Sequence, residues 1–131
     1  DVAIIAVGDM VSIALETASL LKKQGIGATV VNLLSVMPLD IKGLSKVIEK
    51  CGRFITVENG YTEGGAGEYI YSLLDPSLCK KRIVSPGFSG KFIHHGTSME
   101  LFSDFSIDPG SLADKIHKAC SGKGKVKKKK A

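Results

Sequence analysis

The sequence has no apolar run that approaches the roughly 20 residues of a membrane-spanning helix. Its first residues also lack the basic segment and the cleavage site of a secretory signal peptide. From these two absences we expect a cytoplasmic protein that makes no membrane contact. The 131 residues begin without methionine and directly in an apolar run, so we also expect further protein to precede them.

Cysteine is scarce, and its spacing excludes the common metal and disulfide patterns. Cys51, Cys79 and Cys120 are odd in number, form no Cys-x-x-Cys pair and have no nearby pair of histidines to complete a tetrahedral zinc site. We therefore expect three reduced thiols with a structural role, and we predict no metal-binding residue.

Motifs for covalent catalysis and for nucleotide binding are absent as well. No serine lies in a G-x-S-x-G context, and no glycine loop is followed by the Lys-Ser or Lys-Thr of a P-loop. The G-x-G-x-x-G spacing that starts at Gly65 fails because Ile70 takes the place of the third glycine. We predict no catalytic residue and no cofactor-binding residue in this chain.

Positive charge is concentrated at one end of the chain. The formal net charge is +5, but residues 121–131 (SGKGKVKKKKA) hold six lysines and no acid. Subtracting these six from the 18 basic residues leaves 12 against 13 acidic residues, so the rest of the chain is nearly neutral. A block of like charges without aromatic residues is typical of a solvated, disordered end, and we expect no specific nucleic-acid partner.

Apolar segments of two kinds alternate along the remaining residues. Residues 2–7 form a continuous apolar run, which is typical of a strand buried on both faces. Residues 28–34, 53–58 and 82–85 are predicted to form the second, third and fourth strands. Helical spacing follows each of the first three, and the first helix is expected to bury Val11, Ala14, Leu15, Ala18 and Leu21. The alternation predicts one α/β domain over residues 1–120, with a largely parallel sheet between two layers of helices.

Capping residues mark where several helices should begin. Asp40 can cap the second helix, and residues 66–74 are predicted to form the third. Thr97 and Glu100 have the spacing of a capping box at the start of a short helix. Asp108, followed directly by proline, is expected to open the last helix.

The stretch TVENGYTEGGAGEYI, residues 56–70, combines glycines with acidic residues between a predicted strand and a predicted helix. Backbone N–H groups at such a turn can bind a phosphate, which gives five candidate site residues: Glu58, Asn59, Gly64, Gly65 and Gly67. Carboxylates at the same turn oppose a phosphate by about 1 kcal/mol per close pair. Two interpretations stay open. One is contact with another domain or subunit, with Glu58 and Glu63 pairing with basic groups or capping local N–H groups; the other is direct contact with a ligand.

A second candidate is the adjacent pair His94 and His95 in KFIHHGTSMEL. Neighbouring side chains diverge, so the two histidines are poorly placed to bind one metal, and no third ligand is close in sequence. One of them could titrate near neutral pH or touch a phosphorylated substrate, but a surface or interface position is favoured.

Three blocks of the sequence together resemble a known family. They are DVAIIAVGDMVSIALETASLLKKQGIGATVVNLLSVMPLD, ITVENGYTEGGAGEYI and GFSGKFIHHGTSMELFSDFSIDPGSLADKI. The chain is similar to the C-terminal domain of the transketolase-like thiamine-diphosphate enzymes, and its third block is most similar to the 1-deoxy-D-xylulose-5-phosphate synthases. The resemblance implies a three-layer α/β/α domain whose sheet has five strands, mostly parallel with one antiparallel.

The resemblance also implies a parent enzyme that condenses pyruvate with glyceraldehyde 3-phosphate and releases CO2. Thiamine diphosphate and Mg2+ would serve that enzyme between the domains that precede this one, and neither is expected on this domain alone. The implied role of the present chain is packing against the preceding domains and contact in a homodimer, with residues 58–67 as the contact loop.

Other functions stay open on the sequence. The C-terminal domain of a transketolase or of a 2-oxo acid dehydrogenase beta subunit would share the first two blocks. A stand-alone α/β binding or regulatory module and a nucleic-acid binder driven by the lysine-rich end are rivals from other classes.

Overall fold

The computed structural model of the protein describes residues 1–122; residues 123–131, most of the predicted tail, lie outside the described residues. Within the described part the chain forms three strands and six helices. The strands are β1 (Val2–Ala6), β2 (Ala28–Asn32) and β3 (Phe54–Val57). The helices are α1 (Met10–Lys23), α2 (Ile41–Cys51), α3 (Ala66–Leu73), α4 (Pro76–Cys79), α5 (Ser98–Asp104) and α6 (Pro109–Ser121).

The sheet is parallel, with the strand order β2-β1-β3. β1 is the central strand and is buried along its whole length, because helices cover it on both faces. α1, α5 and α6 contribute to the core on one face, and α2, α3 and α4 contribute to the core on the other. The chain passes from β1 to β2 through α1 and returns past β1 to β3 through α2 on the opposite face, as right-handed crossovers require.

The predicted α/β fold is confirmed, but its sheet is smaller than the family resemblance implies. Three parallel strands are present within residues 1–122 instead of five. Neither the fourth strand predicted at residues 82–85 nor an antiparallel strand is found in that range.

Residues 81–85 nevertheless run beside the outer edge of β3 and cover it. The backbone N–H and carbonyl of Phe54 are bonded to backbone groups of this segment at 3.1 Å and 2.7 Å. The carbonyl of Thr56 accepts a hydrogen bond from the side-chain hydroxyl of Ser85. The Ser85 side chain thus takes the place of the next backbone hydrogen bond, and this segment forms a single bridge with β3, between Phe54 and Arg82.

The predicted caps at the starts of three helices are confirmed. Asp40 accepts a hydrogen bond from the N–H three residues later, at 2.9 Å. Thr97 and Glu100 form a reciprocal capping box, and the hydrogen bonds from Thr97 lower the pKa of Glu100. Asp108 accepts from the Ser111 N–H at 3.0 Å. Burial raises the pKa of Asp108, but its hydrogen bonds outweigh burial and leave the pKa below its ordinary value.

The apolar pattern wrongly predicts that two leucines beside β2 are buried. Ala14 and Leu21 of α1 are fully buried as predicted, but Leu15 is 55% exposed. β2 ends at Asn32, earlier than predicted, and Leu34 is 90% exposed. Both exposed leucines lie next to the outer edge of the sheet, where no further strand of the described part covers them.

The third helix, α3, ends at Leu73, one residue before its predicted end. The pattern does not predict α4, a single turn capped by Asp75, whose carboxylate accepts from the Ser77 N–H at 2.8 Å. α6 ends at Ser121, one residue past the predicted domain boundary at 120.

Cys51, Cys79 and Cys120 are free and half-buried. No helix within residues 1–122 combines the length and the apolar character needed to cross a membrane.

Candidate functional site

The candidate site lies at the carboxyl ends of β1 and β3. The chain leaves β1 for α1 on one face of the sheet and leaves β3 for α3 on the opposite face. In parallel α/β sheets the crevice between two such strands is the usual place for a ligand. Residues 58–67, which we call the glycine turn, form one side of this crevice, and residues 7–9 form the other.

The N-terminus of α3 is occupied by a side chain of the glycine turn itself. The Glu58 carboxylate accepts hydrogen bonds from the N–H of Ala66 at 2.5 Å and from the N–H of Gly67 at 3.4 Å. These N–H groups belong to the first turn of α3, and a bound phosphate would need the same donors. The charge of Glu58 also interacts favourably with the helix dipole. The chain therefore supplies its own anion at this position.

Two glycines of the turn are required by this close packing. A Cβ atom on Gly65 would lie 2.5 Å from a Glu58 carboxylate oxygen and 2.6 Å from the carbonyl oxygen of Tyr61. A Cβ atom on Gly67 would lie 2.5 Å from the hydroxyl oxygen of Thr56, at the end of β3. Both glycines are therefore explained by contacts within the chain.

Further hydrogen bonds fix the turn and close the crevice. Gly64 has a φ of 74°, in the left-handed region that favours glycine, and its N–H donates to the Glu68 carboxylate at 2.7 Å. The side-chain amide of Asn59 donates to the Asp9 carboxylate at 2.8 Å. This last bond joins the loop after β3 to the loop after β1 across the point where a ligand would enter.

The electrostatic surroundings of the turn are negative. Four carboxylates lie on it or against it: Asp9, Glu58, Glu63 and Glu68. Each opposes an incoming anion by about 1 kcal/mol at a separation of about 4 Å in water, and by more where water is excluded. The turn therefore does not fit a diphosphate. Among residues 1–122, no three histidine, cysteine or carboxylate side chains are placed to hold a metal ion.

His94 and His95 are exposed, in the segment that leads to α5. The His94 ring packs edge-on against Phe92, with 5.9 Å between ring centroids. The Tyr61 hydroxyl of the glycine turn donates to the Lys91 carbonyl at 3.4 Å. The structure therefore brings the histidine segment beside the turn, although neither histidine hydrogen-bonds to the turn among the described contacts.

Sequence reasoning missed two residues of the site, Asp9 and Thr56. Asp9 binds Asn59 across the crevice, and Thr56 is a buried polar residue against which Gly67 packs. Asp9 follows the carboxyl end of β1 and Thr56 lies near that of β3. The strand order would have placed both residues at the same edge of the sheet, because the carboxyl ends of neighbouring parallel strands lie together.

Comparison with known proteins gives a consistent result for both sequence and fold. A family model described as the transketolase C-terminal domain matches residues 1–112. The chain is 37% identical over 115 residues to the 1-deoxy-D-xylulose-5-phosphate synthase of Caldanaerobacter subterraneus subsp. tengcongensis, and the match covers 88% of this chain and 18% of that protein. It is 33% identical over 108 residues to an apulose-4-phosphate transketolase component of Phocaeicola vulgatus, and the match covers 82% of this chain and 34% of that component.

Among solved structures, a split gene transketolase described as an inactive beta4 tetramer matches with a TM-score of 0.77 and 25% sequence identity. The match covers 92% of this chain and 39% of that chain. The present chain thus spans less than a fifth of the synthase and about a third of the transketolase component it matches.

Proposed function

The chain belongs to the transketolase C-terminal domain family, and on this premise we propose that it forms the C-terminal domain of a thiamine-diphosphate-dependent transferase. The proposed parent is a 1-deoxy-D-xylulose-5-phosphate synthase, which converts pyruvate and glyceraldehyde 3-phosphate to 1-deoxy-D-xylulose 5-phosphate and CO2. Relatives of that name, 31% to 37% identical over most of this chain, support the assignment.

We assign the cofactors to the preceding domains of the parent enzyme. Thiamine diphosphate supplies the carbanion chemistry of such transferases when it is bound, and Mg2+ holds its diphosphate. The observation that carries this assignment is the Glu58 carboxylate, which already bonds the N–H groups of α3 that a phosphate would use. On its own, the chain is therefore proposed to bind neither cofactor and to be inactive.

The glycine turn and the adjacent histidine segment are the proposed contacts with the preceding domains. Four of the candidate residues are exposed and available for contact: Asn59, Gly64, His94 and His95. The other three, Glu58, Gly65 and Gly67, act indirectly in this proposal because they set the shape of the turn.

The proposed assembly is a homodimer in the cytoplasm. The structural relative described as a beta4 tetramer supports self-association of proteins that contain this fold. No specific nucleic-acid partner is proposed. A nucleic-acid binder driven by the lysine-rich end would lose a salt-sensitive affinity when the residues after Cys120 are removed.

The parent reaction is tested with the longer protein that carries this chain. We expect CO2 release from pyruvate that requires glyceraldehyde 3-phosphate, thiamine diphosphate and Mg2+ together. A 2-oxo acid dehydrogenase would release CO2 without glyceraldehyde 3-phosphate, and that outcome contradicts the proposed reaction.

A transketolase is the second candidate, favoured by the 33% identity to the apulose-4-phosphate transketolase component. A transketolase transfers a two-carbon unit between sugars and releases no CO2. Transfer of this kind without pyruvate consumption would replace the synthase with a transketolase as the parent.

A further inference from the structure

We propose that a cluster of aromatic side chains beside the glycine turn anchors this domain to the preceding domains of the parent enzyme. The inference rests on the contact proposed above and names the side chains that carry it. They are Tyr61, Phe92 and His94, which we call the aromatic patch. Tyr61 and Phe92 are not among the candidate residues that the sequence predicts.

Direct contacts hold the three side chains of the aromatic patch together. The Tyr61 hydroxyl donates to the carbonyl of Lys91, the residue before Phe92, at 3.4 Å. The rings of Phe92 and His94 meet edge to face, with 5.9 Å between centroids and 77° between planes. The patch is therefore one surface, where the loop after β3 meets the segment that leads to α5.

The base of the aromatic patch is fixed by the core. Phe88 is buried, and its ring packs on Tyr61 at 6.5 Å and edge-on against Phe105 at 4.7 Å. Tyr61 and Phe88 also form a parallel bridge, and the Thr62 N–H donates to the Phe88 carbonyl at 3.0 Å. Tyr61 is thus held in place before a partner binds, which reduces the conformational entropy lost on binding.

The outer side of the aromatic patch is open to solvent. Phe92 is 85% exposed, Tyr61 is 48% exposed, and His94 is exposed as well. At about 200 Å2 for each aromatic side chain, the first two alone leave roughly 270 Å2 in water. With His94 the patch reaches the roughly 300–600 Å2 of the largest apolar patches on monomeric proteins, which are often functional. Aromatic side chains are also enriched in the core of protein interfaces.

The occupant of the patch is the protein that precedes this chain in the parent enzyme. The chain covers 18% of the synthase it matches, so most of such a parent lies outside it. The antiparallel strand that the family resemblance implies is not found within residues 1–122. A strand that leads into β1 from the opposite direction starts at the carboxyl end of the sheet. A domain before that strand lies on the side of the sheet that carries the aromatic patch.

The charges around the aromatic patch specify the chemistry of the partner surface. Glu63 and Lys91 are exposed, one in the glycine turn and the other beside Phe92. The partner therefore offers an apolar pocket for the Phe92 ring, with a basic group opposite Glu63 and an acidic group opposite Lys91. Such charges at the rim set the orientation of docking more than its strength, and the buried rings supply the affinity.

Hydroxyl-radical footprinting read by mass spectrometry tests the inference, because it reports the solvent exposure of single aromatic side chains. The 131-residue chain is compared with the longer protein that carries it. We expect the oxidation rates of Phe92 and Tyr61 to fall roughly fourfold or more in the longer protein, since anchoring side chains are desolvated in an interface. Tyr71 is the matched control: it is 39% exposed on α3, beneath the Arg82 guanidinium, and its rate should not change.

Phe92→Ala in the longer protein provides a second readout. We expect Tyr61 oxidation to return toward its rate in the isolated chain, because the patch has lost its most exposed ring. The side chain is open to solvent, so the isolated variant should keep the circular dichroism of the wild type. Val84→Ala is the matched control: Val84 is 67% exposed but lies beside β3, so the Tyr61 rate should not change.

The outcomes separate this inference from the proposed reaction. Equal Phe92 oxidation rates in the isolated chain and the longer protein overturn the inference, and the CO2 assay of the same preparation then decides separately whether the reaction stands. Protection of Phe92 that appears in the isolated chain as its concentration rises assigns the aromatic patch to a second copy and also overturns it. Protection in the longer protein alone, with an unchanged Tyr71 rate, supports the inference.

Discussion

The glycine turn differs from the outer edge of β2 in where the backbone hydrogen bonds go. We call this outer edge, residues 28–34, the β2 edge. In the glycine turn, N–H groups at the start of α3 and before it are bonded to the chain's own Glu58 and Glu68. At the β2 edge, the outward groups have no partner within the described residues, and the flanking side chains are apolar. The glycine turn resembles a ligand site, but its N–H groups are already bonded within the chain. The outward backbone groups of β2, by contrast, have no partner within residues 1–122. The hydrogen bonds within the glycine turn therefore leave its N–H groups poorly placed to bind a small anion.

The largest expected effect is on the packing of the glycine turn. Gly65→Ala places a Cβ 2.6 Å from the Tyr61 carbonyl oxygen, so the turn must shift, and the free energy of unfolding should fall by about 1–3 kcal/mol. Urea denaturation measures the change. Gly60→Ala is the matched control in the same turn, because a Cβ there meets nothing within 4 Å. Equal stabilities of the two variants would show that the turn is not packed in this way.

Removing the internal anion should convert the turn toward an anion site. Glu58→Ala deletes the cap of α3 and should lower the free energy of unfolding by about 0.5–2 kcal/mol. Sulfate should then stabilise this variant more than the wild type, because the α3 N–H groups are free. The control is Glu63→Ala, whose carboxylate bonds the Thr62 hydroxyl at 3.2 Å. Identical sulfate responses in the two variants would show that Glu58 does not occupy an anion site at the start of α3.

Asp108 caps α6 from three residues away, whereas Glu58 caps α3 from eight residues away, so the stabilities that the two caps contribute can be compared. Its folded-state pKa lies below the ordinary value, so its contribution is present above the unfolded-state pKa and is lost as pH falls through the folded-state pKa. Asp108→Ala should lower the free energy of unfolding by about 1 kcal/mol at neutral pH, and by less in acid. Asp114→Ala, an exposed change in the same helix, is the control. The free energies of unfolding of the two variants, measured by denaturation, should differ only above the acid range. A pH-independent difference would contradict this assignment.

The smallest expected effect on folding is at the β2 edge. Leu34→Ser removes a side chain that is 90% exposed, so the free energy of unfolding of the monomer should change by less than about 0.5 kcal/mol. Urea denaturation at concentrations where the chain is monomeric provides the measurement. A loss as large as that of Gly65→Ala would mean that Leu34 packs within its own chain and that the edge is not open.

Features with local causes were predictable from the sequence. The apolar run of β1 predicts a strand buried on both faces, and β1 is the central strand. The caps at Asp40, Thr97 and Asp108 follow from side chains that reach N–H groups only three residues away. Such contacts do not depend on the path of the rest of the chain.

Features that depend on the path of the whole chain were not predictable. Apolar character predicts that Leu15 and Leu34 are buried, but it does not say whether the same chain or a partner buries them. The segment 82–85 is apolar enough for a strand, yet it covers β3 through one bridge.

The candidate site was located by composition but not in detail. Glycines and acids marked residues 58–67, and capping of local N–H groups was one of the roles left open for Glu58. Its reach to Ala66, eight residues away, and the bond between Asn59 and Asp9 required the three-dimensional arrangement of the strands.

The most direct test is isothermal titration calorimetry of the 131-residue chain with thiamine diphosphate and Mg2+. It measures whether the N–H groups at the start of α3, which are bonded to Glu58, can still bind a phosphate group. We predict no heat beyond that of dilution, because the N–H donors are already bonded and the surrounding charge is negative. Binding with a micromolar dissociation constant would show that the chain holds the cofactor itself, and would remove the basis for assigning it to the preceding domains.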